Sequence, residues 1–514
     1  MQHSETHHHH DHLAEEDLQE KGLRPGAVGL LSSVVLSVSS VAPAYALTAT
    51  LGPTVAEVGL QMPAVFLAGF LPMFLVAYAY RELNRVMPDC GTSFTWTAKA
   101  FGPRTGWMCD WGLVVATIIV LSNLAGVAVS FFYLLLGRIF DDPDLAAMSH
   151  NRAVNVLTCV VFVAAATWVA YRGVTLTKEV QYVLVGVQLV VLAVFTVTAL
   201  WKAADGGSVL AEPFDWQWLD PFAVESFAAF TAGLSLSLFI YWGWDTSLTV
   251  NEETVGSDKV PGRAALLTML VVLTTYLLVA VAAQRFAGVG ATDFGLGNPE
   301  TTDNVFAALA DPVLGGAALL LYVAVLASSA SSLQTTFLPP ARTMLAMGTY
   351  RAVPARFAAV HPRFRSPSFA TVVAGVGTAL FYSLMTLISE HVLVDTIYAL
   401  GLMICFYYGL TSYACVWYFR KELTLGVRDF VFKGLLPTVG AVLLTAVFVK
   451  TAVDTWDPDY GSGTSLFGVG AVFLIAVGLL VLGVVLMVVW ERRAPAYFRG
   501  GTLRHDTPSL IAED

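Results

Sequence analysis

A single carboxylate, Asp245, stands in a long stretch of sequence that is otherwise uncharged. It directly follows Tyr241-Trp242-Gly243-Trp244, so a flexible glycine and three aromatic rings share its helical turn. A carboxylate inside a membrane costs ~2.5–3.5 kcal/mol, and an aromatic face contributes ~0.5–2 kcal/mol to holding a cation. The pattern predicts a helix break at which Asp245 binds a cationic group, caps the second half of the helix, or does both. Adjacent residues on a helix point in different directions, so we expect Trp242 to pack away from such a site.

A second irregular segment lies about 200 residues earlier in the chain. Its proline has no N–H and clashes with the preceding helical turn, while serine hydroxyls can satisfy the backbone groups that a break frees. Freed carbonyls can hold a cation or an ammonium group, and the N-termini of half-helices direct N–H groups toward anions. The segment therefore predicts a second broken helix with candidate substrate-binding residues; an ordinary proline kink is the alternative. These candidates are Ser39, Ser40, Val41, Ala42, Pro43 and Ala44.

Three further polar positions could take part in binding or gating. Asn123 lies deep in an apolar run, where it could contact a substrate or form a hydrogen bond between helices. Glu252 and Glu253 follow the Asp245 break by seven and eight residues. Arg or Lys side chains of nearby loops could pair with these glutamates as a gate latch, and the alternative is a solvated helix end.

The composition places these residues in a membrane protein. Of 514 residues, 56% are apolar and only 13% are charged, about half the usual charged share of a soluble protein. A net charge of −10 without a dominant basic face argues against nucleic acid as a partner. The five cysteines form no Cys-x-x-Cys pair, so we expect neither a disulfide framework nor a zinc site, and no cofactor.

Twelve apolar runs are long enough to cross a lipid bilayer as helices, which takes ~20 residues each. With the N-terminus in the cytoplasm, 23 of the 28 Lys and Arg residues fall on the inside, as the positive-inside rule requires. Both termini are therefore predicted to be cytoplasmic. Spans 3 and 8 are longer than a bilayer needs, so they should tilt or project from it. The predicted spans are residues 27–51, 62–80, 105–137, 153–171, 179–201, 226–250, 264–288, 313–346, 368–388, 391–419, 431–451 and 465–490.

The order of these features suggests an internal repeat. Short amphipathic segments at Ser93–Phe101 and Asn304–Ala310 precede spans 3 and 8, at an offset similar to that between the two breaks. We therefore predict an all-α membrane protein with two inverted five-helix repeats and two further helices. Broken first helices in such repeats are typical of the binding sites of secondary transporters. The predicted regions are a tail at 1–26, repeats at 27–201 and 226–420, helices 11 and 12 at 431–490, and a tail at 491–514.

Both tails are polar and are predicted to lie in the cytoplasm. The N-terminal tail carries a histidine run that could bind a metal ion weakly, although a disordered tail is the favoured interpretation. The C-terminal tail is expected to be mobile. The histidines of the run are His7, His8, His9, His10 and His12.

Several motifs together resemble a known family. They are the aromatic-Gly-aromatic-Asp break at Phe239–Asp245, the pair Glu252-Glu253, the Pro-Gly-Arg-Ala sequence at 261–264, the loop 91–103 and the segment 173–177. On these residues the chain is similar to permeases of the amino acid–polyamine–organocation superfamily, which have the leucine-transporter-type fold. The resemblance covers residues 24–490. It implies a membrane permease with a substrate site at the two breaks, including Tyr241, Gly243, Trp244 and Asp245.

Two departures from the family pattern bear on substrate and coupling. Family members often have a Gly-Ser-Gly turn in helix 1 whose amides receive a substrate carboxylate, whereas this chain has Pro43, which makes an amine substrate more plausible. Proton-coupled members often have a lysine in helix 5 at the position where this chain has Gln188. A glutamine cannot carry a proton, so proton coupling through helix 5 is not expected.

Sodium is an alternative coupling ion. Some relatives of this fold hold sodium between hydroxyls of helix 8 and carbonyls of helix 1, so a serine-rich stretch in span 8 is a candidate site, with Ser331 and Ser332 as ligands. Packing of small residues is the other explanation of this stretch. The coupling-site candidates there are Ser328, Ser329, Ser331 and Ser332.

The predicted function is therefore secondary active transport of an amino acid, a polyamine or a related small organocation by alternating access. A substrate exchanger of the same fold is the nearest alternative. A membrane enzyme is less favoured because the chain has no His-Glu-x-x-His motif, and a channel is less favoured because no filter motif is present.

Overall fold

A computed structural model describes residues 21–388 and 392–508. Most of this described part of the chain is helical, and its one small sheet is an antiparallel hairpin in which Ser465 faces Gly470 and Leu466 faces Val469. The strands are β1 (Ser465–Leu466) and β2 (Val469–Gly470). The helices are α1 (Leu30–Val41), α2 (Pro43–Val58), α3 (Met62–Val86), α4 (Ser93–Phe101), α5 (Pro103–Phe140), α6 (Pro143–Ala147), α7 (Arg152–Tyr171), α8 (Val174–Ala204), α9 (Phe227–Ile240), α10 (Thr246–Thr249), α11 (Val260–Ala287), α12 (Val305–Leu314), α13 (Leu319–Thr335), α14 (Leu338–Thr349), α15 (Ser368–Ile388), α16 (Val392–Tyr418), α17 (Val427–Asp429), α18 (Leu436–Asp454), α19 (Ala471–Arg493) and α20 (Pro495–Phe498).

Short irregular helices connect several of these elements. A π-helical turn at Phe430–Leu435 joins α17 to α18. The 3₁₀ turns are Gly59–Gln61, Met148–His150, Trp216–Leu219, Pro221–Ala223, Asn251–Glu253, Thr302–Asn304, Gly315–Ala317 and Ala355–Ala358.

Ten helical runs among the described residues are long and apolar enough to cross a membrane, judged by length and composition. The first of them, Leu30–Val86, contains the segments predicted as spans 1 and 2. The segment predicted as span 6 is divided, and its first half, α9, has only 14 residues. The chain is thus a multi-pass, mostly helical membrane protein. The long helix α5 is the most buried of the ten runs, so it lies at the centre of the bundle.

Both predicted helix breaks are present. Between α1 and α2, Ala42 takes a left-handed conformation with φ 55°, and Pro43 occupies the first turn of α2, where its missing N–H costs least. Between α9 and α10, residues 241–245 form turns, and Gly243 has φ 104°. A parallel bridge between Val28 and Thr254 joins the start of the first broken helix to the end of the second.

Two of the predicted spans have different boundaries. The run 313–346 is not one overlong helix, because the chain leaves the helix at residues 336–337 and α14 begins just before Pro339 and Pro340. Prolines are favoured in the first turn of a helix and disfavoured in its interior, so the sequence contained this signal. The run 465–490 becomes helical only at Ala471, since its first residues form the β-hairpin.

The prediction of a mobile C-terminal tail is wrong for residues 495–508. The side chains of Tyr497 and Phe498 are buried, and the Tyr497 hydroxyl donates to the carbonyl oxygen of Pro103 at 2.8 Å. The Thr502 hydroxyl donates to the Tyr350 carbonyl at 2.5 Å, and Lys99 donates to the Thr507 carbonyl. The C-terminal segment therefore packs against the end of the bundle. The histidine run at residues 7–12 lies outside the described residues.

Candidate functional site

The two helix breaks touch each other. A Cβ atom built on Gly243 would lie 3.0 Å from the carbonyl carbon of Ser40, so only glycine allows this approach and this positive φ. The hydroxyl of Thr246 donates to the hydroxyl of Ser40 at 2.9 Å, and the N–H of Ser247 donates to the Ser37 hydroxyl at 3.0 Å. Four helix ends, from α1, α2, α9 and α10, consequently meet at one place in the bundle.

The backbone groups at the first break are mostly satisfied. The N–H of Ala42 bonds to the Val38 carbonyl at 3.0 Å, and Pro43 has no N–H. The N–H of Tyr45 donates to the Ser328 hydroxyl at 3.2 Å. The break therefore offers a substrate carboxylate far fewer donors than an open helix N-terminus would.

A cluster of hydroxyls joins the first break to α13. The Ser39 hydroxyl lies 2.6 Å from the Ser331 hydroxyl and 2.7 Å from the Gln181 side-chain oxygen. The Ser332 hydroxyl donates to the Ser40 carbonyl at 2.8 Å. Of the four candidate serines, Ser328, Ser331 and Ser332 thus contact the break, and Ser329 is buried with a hydroxyl that has no partner among the described residues. The neighbouring Thr335 and Thr336, one helical turn further along, also contact the break and were not among the candidates.

Two amides predicted to act at the site are placed differently from each other. Gln188 is fully buried on α8, and neither polar atom of its carboxamide has a partner among the described residues. The Asn123 amide donates to the Thr396 hydroxyl on α16 at 2.7 Å, so it forms a hydrogen bond between helices, while its carbonyl oxygen has no partner in the described part of the chain. Each of these amides retains capacity to bind a polar ligand.

The aromatic residues of the second break point to different neighbours. The Tyr241 ring packs edge-on against Phe70 and Tyr276, and Trp244 stacks on Tyr408 at 5.2 Å. The indole N–H of Trp242 donates to the Tyr407 hydroxyl on α16 at 2.5 Å. Trp242 therefore packs against α16.

Phe239 precedes the second break and was not among the candidates. Its ring lies 6.0 Å from the ring of Tyr45, which follows the first break. The Tyr45 hydroxyl and the Tyr241 hydroxyl are both buried without a partner among the described residues. Tyr241 was a candidate from its sequence motif, whereas only the position of Tyr45 next to the two breaks identifies it.

Asp245 is almost completely buried, with 2% of its surface exposed. It precedes α10, but its side chain makes no capping hydrogen bond, so the interpretation of Asp245 as a side-chain cap is wrong. The phenol groups of Tyr80, Tyr407 and Tyr408 lie near this side chain. No Lys or Arg lies within ion-pair distance of this carboxylate in the ranges that the structure describes, so the carboxylate is available to a cation.

A buried ionic cluster closes the end of the bundle near both termini. The Lys21 ammonium lies 2.7 Å from an Asp89 oxygen and 2.6 Å from a Glu252 oxygen, and all three side chains are at most 5% exposed. The Tyr350 hydroxyl donates to Asp89 at 2.8 Å, and the N–H of Cys90 donates to Glu252 at 2.8 Å. We call these five residues the Lys21 cluster.

The protonation properties of the Lys21 cluster follow from burial and charge. Burial alone would lower the pKa of Lys21, but the carboxylates of Asp89 and Glu252 raise this pKa well above its usual value. Burial alone would raise the pKa of Asp89, but the adjacent Lys21 lowers it below its usual value. For Glu252, burial prevails and raises the pKa. Asp89, Cys90 and Glu252 could together hold a cation, and the Lys21 ammonium fills that role here.

The second glutamate of the pair is also buried and paired. Glu253 lies 2.6 Å from the guanidinium of Arg342, and both side chains are at most 2% exposed. The Asn251 amide donates to the Asn84 side-chain oxygen at 2.8 Å. Both predicted gate glutamates therefore have cationic partners, and the alternative of a solvated helix end is wrong. The partner Lys21, 231 residues from Glu252 along the chain, could not have been identified from the sequence.

The fold and the paired breaks define a class of membrane transport protein, and comparison with known proteins agrees. The sequence profile of the amino acid permease family matches residues 28–495. The chain belongs to this family, so it is a permease and not an enzyme.

Individual relatives are distant. The chain is 24% identical to the branched-chain amino acid permease BcaP of Bacillus subtilis over 357 residues, which cover 67% of this chain and 71% of BcaP. It is 23% identical to the low-affinity putrescine importer PlaP of Escherichia coli over 400 residues, which cover 76% of this chain and 81% of PlaP. The crystal structure of MhsT in complex with L-phenylalanine has the same fold, with a TM-score of 0.58, 16% identity, and coverage of 84% of this chain and 100% of MhsT.

Proposed function

We propose that the chain moves a small amine, a polyamine or an amino acid across the cell membrane by alternating access. The observation that carries this proposal is the direct contact of the two helix breaks at Gly243 and Ser40. Broken helices that meet inside a membrane bundle provide backbone and side-chain groups to a ligand where lipid would otherwise forbid them. The substrate site comprises the break residues 39–44, Tyr241, Gly243, Trp244 and Asp245, together with Asn123.

The charges at the breaks favour an ammonium group as the substrate's recognition element. The C-terminal ends of α1 and α9 carry partial negative charge, and Asp245 adds a full carboxylate with no cationic partner among the described residues. Few hydrogen-bond donors are free at the first break, because Pro43 lacks an N–H and Ser328 accepts the N–H of Tyr45. A diamine would find acceptors here, whereas an α-amino acid carboxylate would find few donors. The similarity to a putrescine importer is consistent with this preference.

The proposed architecture has twelve spans in two inverted repeats, at 27–201 and 226–420, followed by helices 11 and 12 at 431–490. Its support is the agreement between the predicted spans and the helices, and the matching positions of the two breaks. The positive-inside rule puts both termini in the cytoplasm. In this orientation the Lys21 cluster and the Glu253–Arg342 pair act as the cytoplasmic gate, which their ion pairs would hold shut.

The candidates for coupling are sodium, a proton carried by a carboxylate such as Asp245 or Glu253, and exchange of substrates. Hydroxyl and carbonyl oxygens of Ser39, Ser40, Ser331 and Ser332 lie together, and hard cations such as sodium prefer oxygen ligands. Gln188 cannot carry a proton, so proton coupling through α8 is not expected. The alternative is exchange of one substrate for another without an ion.

Uptake into proteoliposomes tests the proposal. Labelled putrescine and a labelled branched-chain amino acid are offered under a sodium gradient, a pH gradient, or internal unlabelled substrate alone. Accumulation of unmodified putrescine in preference to the amino acid supports the proposal. Uptake that requires sodium and is lost in the Ser331→Ala, Ser332→Ala double variant supports the sodium site, and uptake only with internal substrate identifies an exchanger. Absence of transport of any amine or amino acid would refute the proposal.

A further inference from the structure

An apolar groove runs along the outside of the bundle between α7 and α15. It has a volume of about 450 Å³ and includes Ala164, Trp168 and Tyr171 on α7. The two helices cross closely at its floor, where a Cβ on Gly375 would lie 2.3 Å from the Thr167 hydroxyl oxygen. That hydroxyl already donates to the Val163 carbonyl at 2.6 Å. The groove therefore has no unsatisfied polar group at its floor, and an apolar occupant would leave nothing unpaired.

The length of the groove corresponds to one leaflet of a bilayer. On α7 it extends from Val160 to Tyr171, which is about 16 Å at the rise of an α-helix. Half of a hydrocarbon core of about 30 Å has the same length. Both Val160 and Trp168 are exposed on this side, so the groove is open toward lipid in the leaflet next to the C-terminal end of α7.

Cations and aromatic rings stand at that end of the groove. The Arg172 guanidinium lies 5.1 Å from the centre of the Trp168 ring and 5.1 Å from that of Phe364. Arg363 lies 5.5 Å from the centre of the Phe364 ring. Both arginines are exposed, and neither has a carboxylate within ion-pair distance in the described ranges. Tryptophan and tyrosine are enriched at the level of lipid headgroups, so these arginines lie where a lipid phosphate would.

We propose that this groove binds one anionic phospholipid, with an acyl chain between α7 and α15 and the phosphate at Arg172 and Arg363. Apolar shape, leaflet length and unpaired positive charge at one end together fit this ligand. A neutral detergent or a second protein helix would satisfy the apolar part but not the two arginines. This proposal requires only that the chain spans a membrane, so it is independent of the transported substrate.

Native mass spectrometry of the full-length protein in neutral detergent tests the proposal. The protein is titrated with phosphatidylglycerol or with phosphatidylcholine of the same acyl chains. Each juxtamembrane arginine contributes appreciably to binding an anionic lipid, so Arg172→Gln with Arg363→Gln should weaken phosphatidylglycerol binding about thirtyfold. The matched control is Arg492→Gln with Arg493→Gln, which removes two exposed arginines at the end of α19 and should leave the binding unchanged.

A second pair of variants tests the acyl-chain site. Ala164→Phe fills the groove and should abolish binding of the tightest lipid, while Ala165→Phe changes an exposed neighbour outside the groove and should not. Because both alanines are exposed, both variants should fold. Equal lipid binding by wild type, the arginine double variant and Ala164→Phe would overturn the proposal. Competition by glycerol phosphate as strong as by phosphatidylglycerol would overturn it too, since the site would then bind free phosphate. Dimers that Ala164→Phe abolishes would show that a second copy occupies the groove instead.

Discussion

Replacing Lys21 with Gln removes the cation that holds Asp89 and Glu252 together, and we predict that this opens the proposed cytoplasmic gate. Two carboxylates would then remain buried, with oxygen atoms within 4.8 Å of each other. No other Lys or Arg lies within ion-pair distance of them in the described ranges. Opening the gate would hydrate both carboxylates, so the variant should favour the open form.

The expected size of the effect follows from the burial of the pair. Removing one partner of a buried ion pair costs about 3–5 kcal/mol, because the remaining charge stays buried without compensation. In the open form both carboxylates are hydrated, so this destabilisation applies to the closed form alone. At 1.4 kcal/mol for each factor of ten, the equilibrium between closed and open gate should shift by roughly two to three and a half orders of magnitude.

The dependence on pH can be worked out from the same groups. In the wild type the pKa of Asp89 is lowered and that of Lys21 is raised. The contribution of Asp89 to the stability of the closed gate is therefore complete above its ordinary pKa of 3.8 and is lost as the pH falls through the lowered value. The contribution of Lys21 to the stability of the closed gate is complete below its ordinary pKa of 10.5 and is lost as the pH rises through the raised value. These two groups by themselves add no pH dependence to the wild-type gate between about 5 and 9, so any dependence there comes from Glu252, whose pKa is raised.

The variant should respond to pH more strongly than the wild type. Burial raises the pKa of Glu252, and loss of the Lys21 charge removes an influence that lowers it. A raised pKa means that the closed gate binds this proton more tightly than the open gate, so low pH favours closure. The Lys21→Gln gate should therefore be more open at pH 8 than at pH 6.

Cys90 provides the assay. Its side chain is buried in the Lys21 cluster, so a thiol reagent reaches it only when the gate opens. In a background without the four other cysteines, the alkylation rate of Cys90 is measured and divided by the rate in unfolded protein at the same pH. The control is Lys178→Gln, because Lys178 donates to the Ala27 carbonyl and lies outside the Lys21 cluster. Equal normalised rates in wild type and Lys21→Gln would refute the reasoning, and a slower rate after adding Glu252→Gln to Lys21→Gln would support it.

Three further predictions concern the breaks and the C-terminal segment. Gly243→Ala should abolish uptake, because its methyl group would meet the Ser40 backbone at about 3.0 Å in a strained conformation. The control Gly186→Ala should retain uptake, because no atom lies within 4 Å of the added carbon. Normal uptake by Gly243→Ala would contradict the contact between the breaks. Asp245→Asn should reduce uptake at least about tenfold by removing the charge that binds the substrate, and wild-type rates would exclude that role. Tyr497→Ala should lower the free energy of unfolding by about 3–5 kcal/mol, measured by thermal unfolding, because its ring is fully buried. The control Arg499→Ala changes an exposed residue and should have no effect. Equal melting temperatures of wild type and Tyr497→Ala would show that the C-terminal segment contributes little to stability.

The sequence was sufficient for most of the helices and for both breaks. Water is absent from the bilayer core, so a spanning segment must satisfy its own backbone as a helix, and its apolar length is visible in the sequence. Pro43 and Gly243 have local conformational requirements that no neighbour can alter. The division between α13 and α14 could also have been predicted, because Pro339 and Pro340 favour a helix start.

The substrate-site candidates were located to the correct segments but not to individual contacts. Asn123 and Trp242 both bond to α16, and Asp245 makes no cap. Gln181 rather than Gln188 bonds to the Ser39 hydroxyl. Residue type and spacing on one helix specify which way a side chain points, but they contain no information about which helix faces it.

The Lys21 cluster and the docked C-terminal segment could not be predicted from the sequence, for a related reason. Lys21 was one positive charge among many in the loops, and its partners lie 68 and 231 residues away. Local signals such as hydropathy, proline and glycine act within a few residues, so they specified the spans, the breaks and the family. Burial of a charge depends on all the helices that surround it, and only their packing brings Lys21, Asp89 and Glu252 within hydrogen-bond distance in a place that water does not reach.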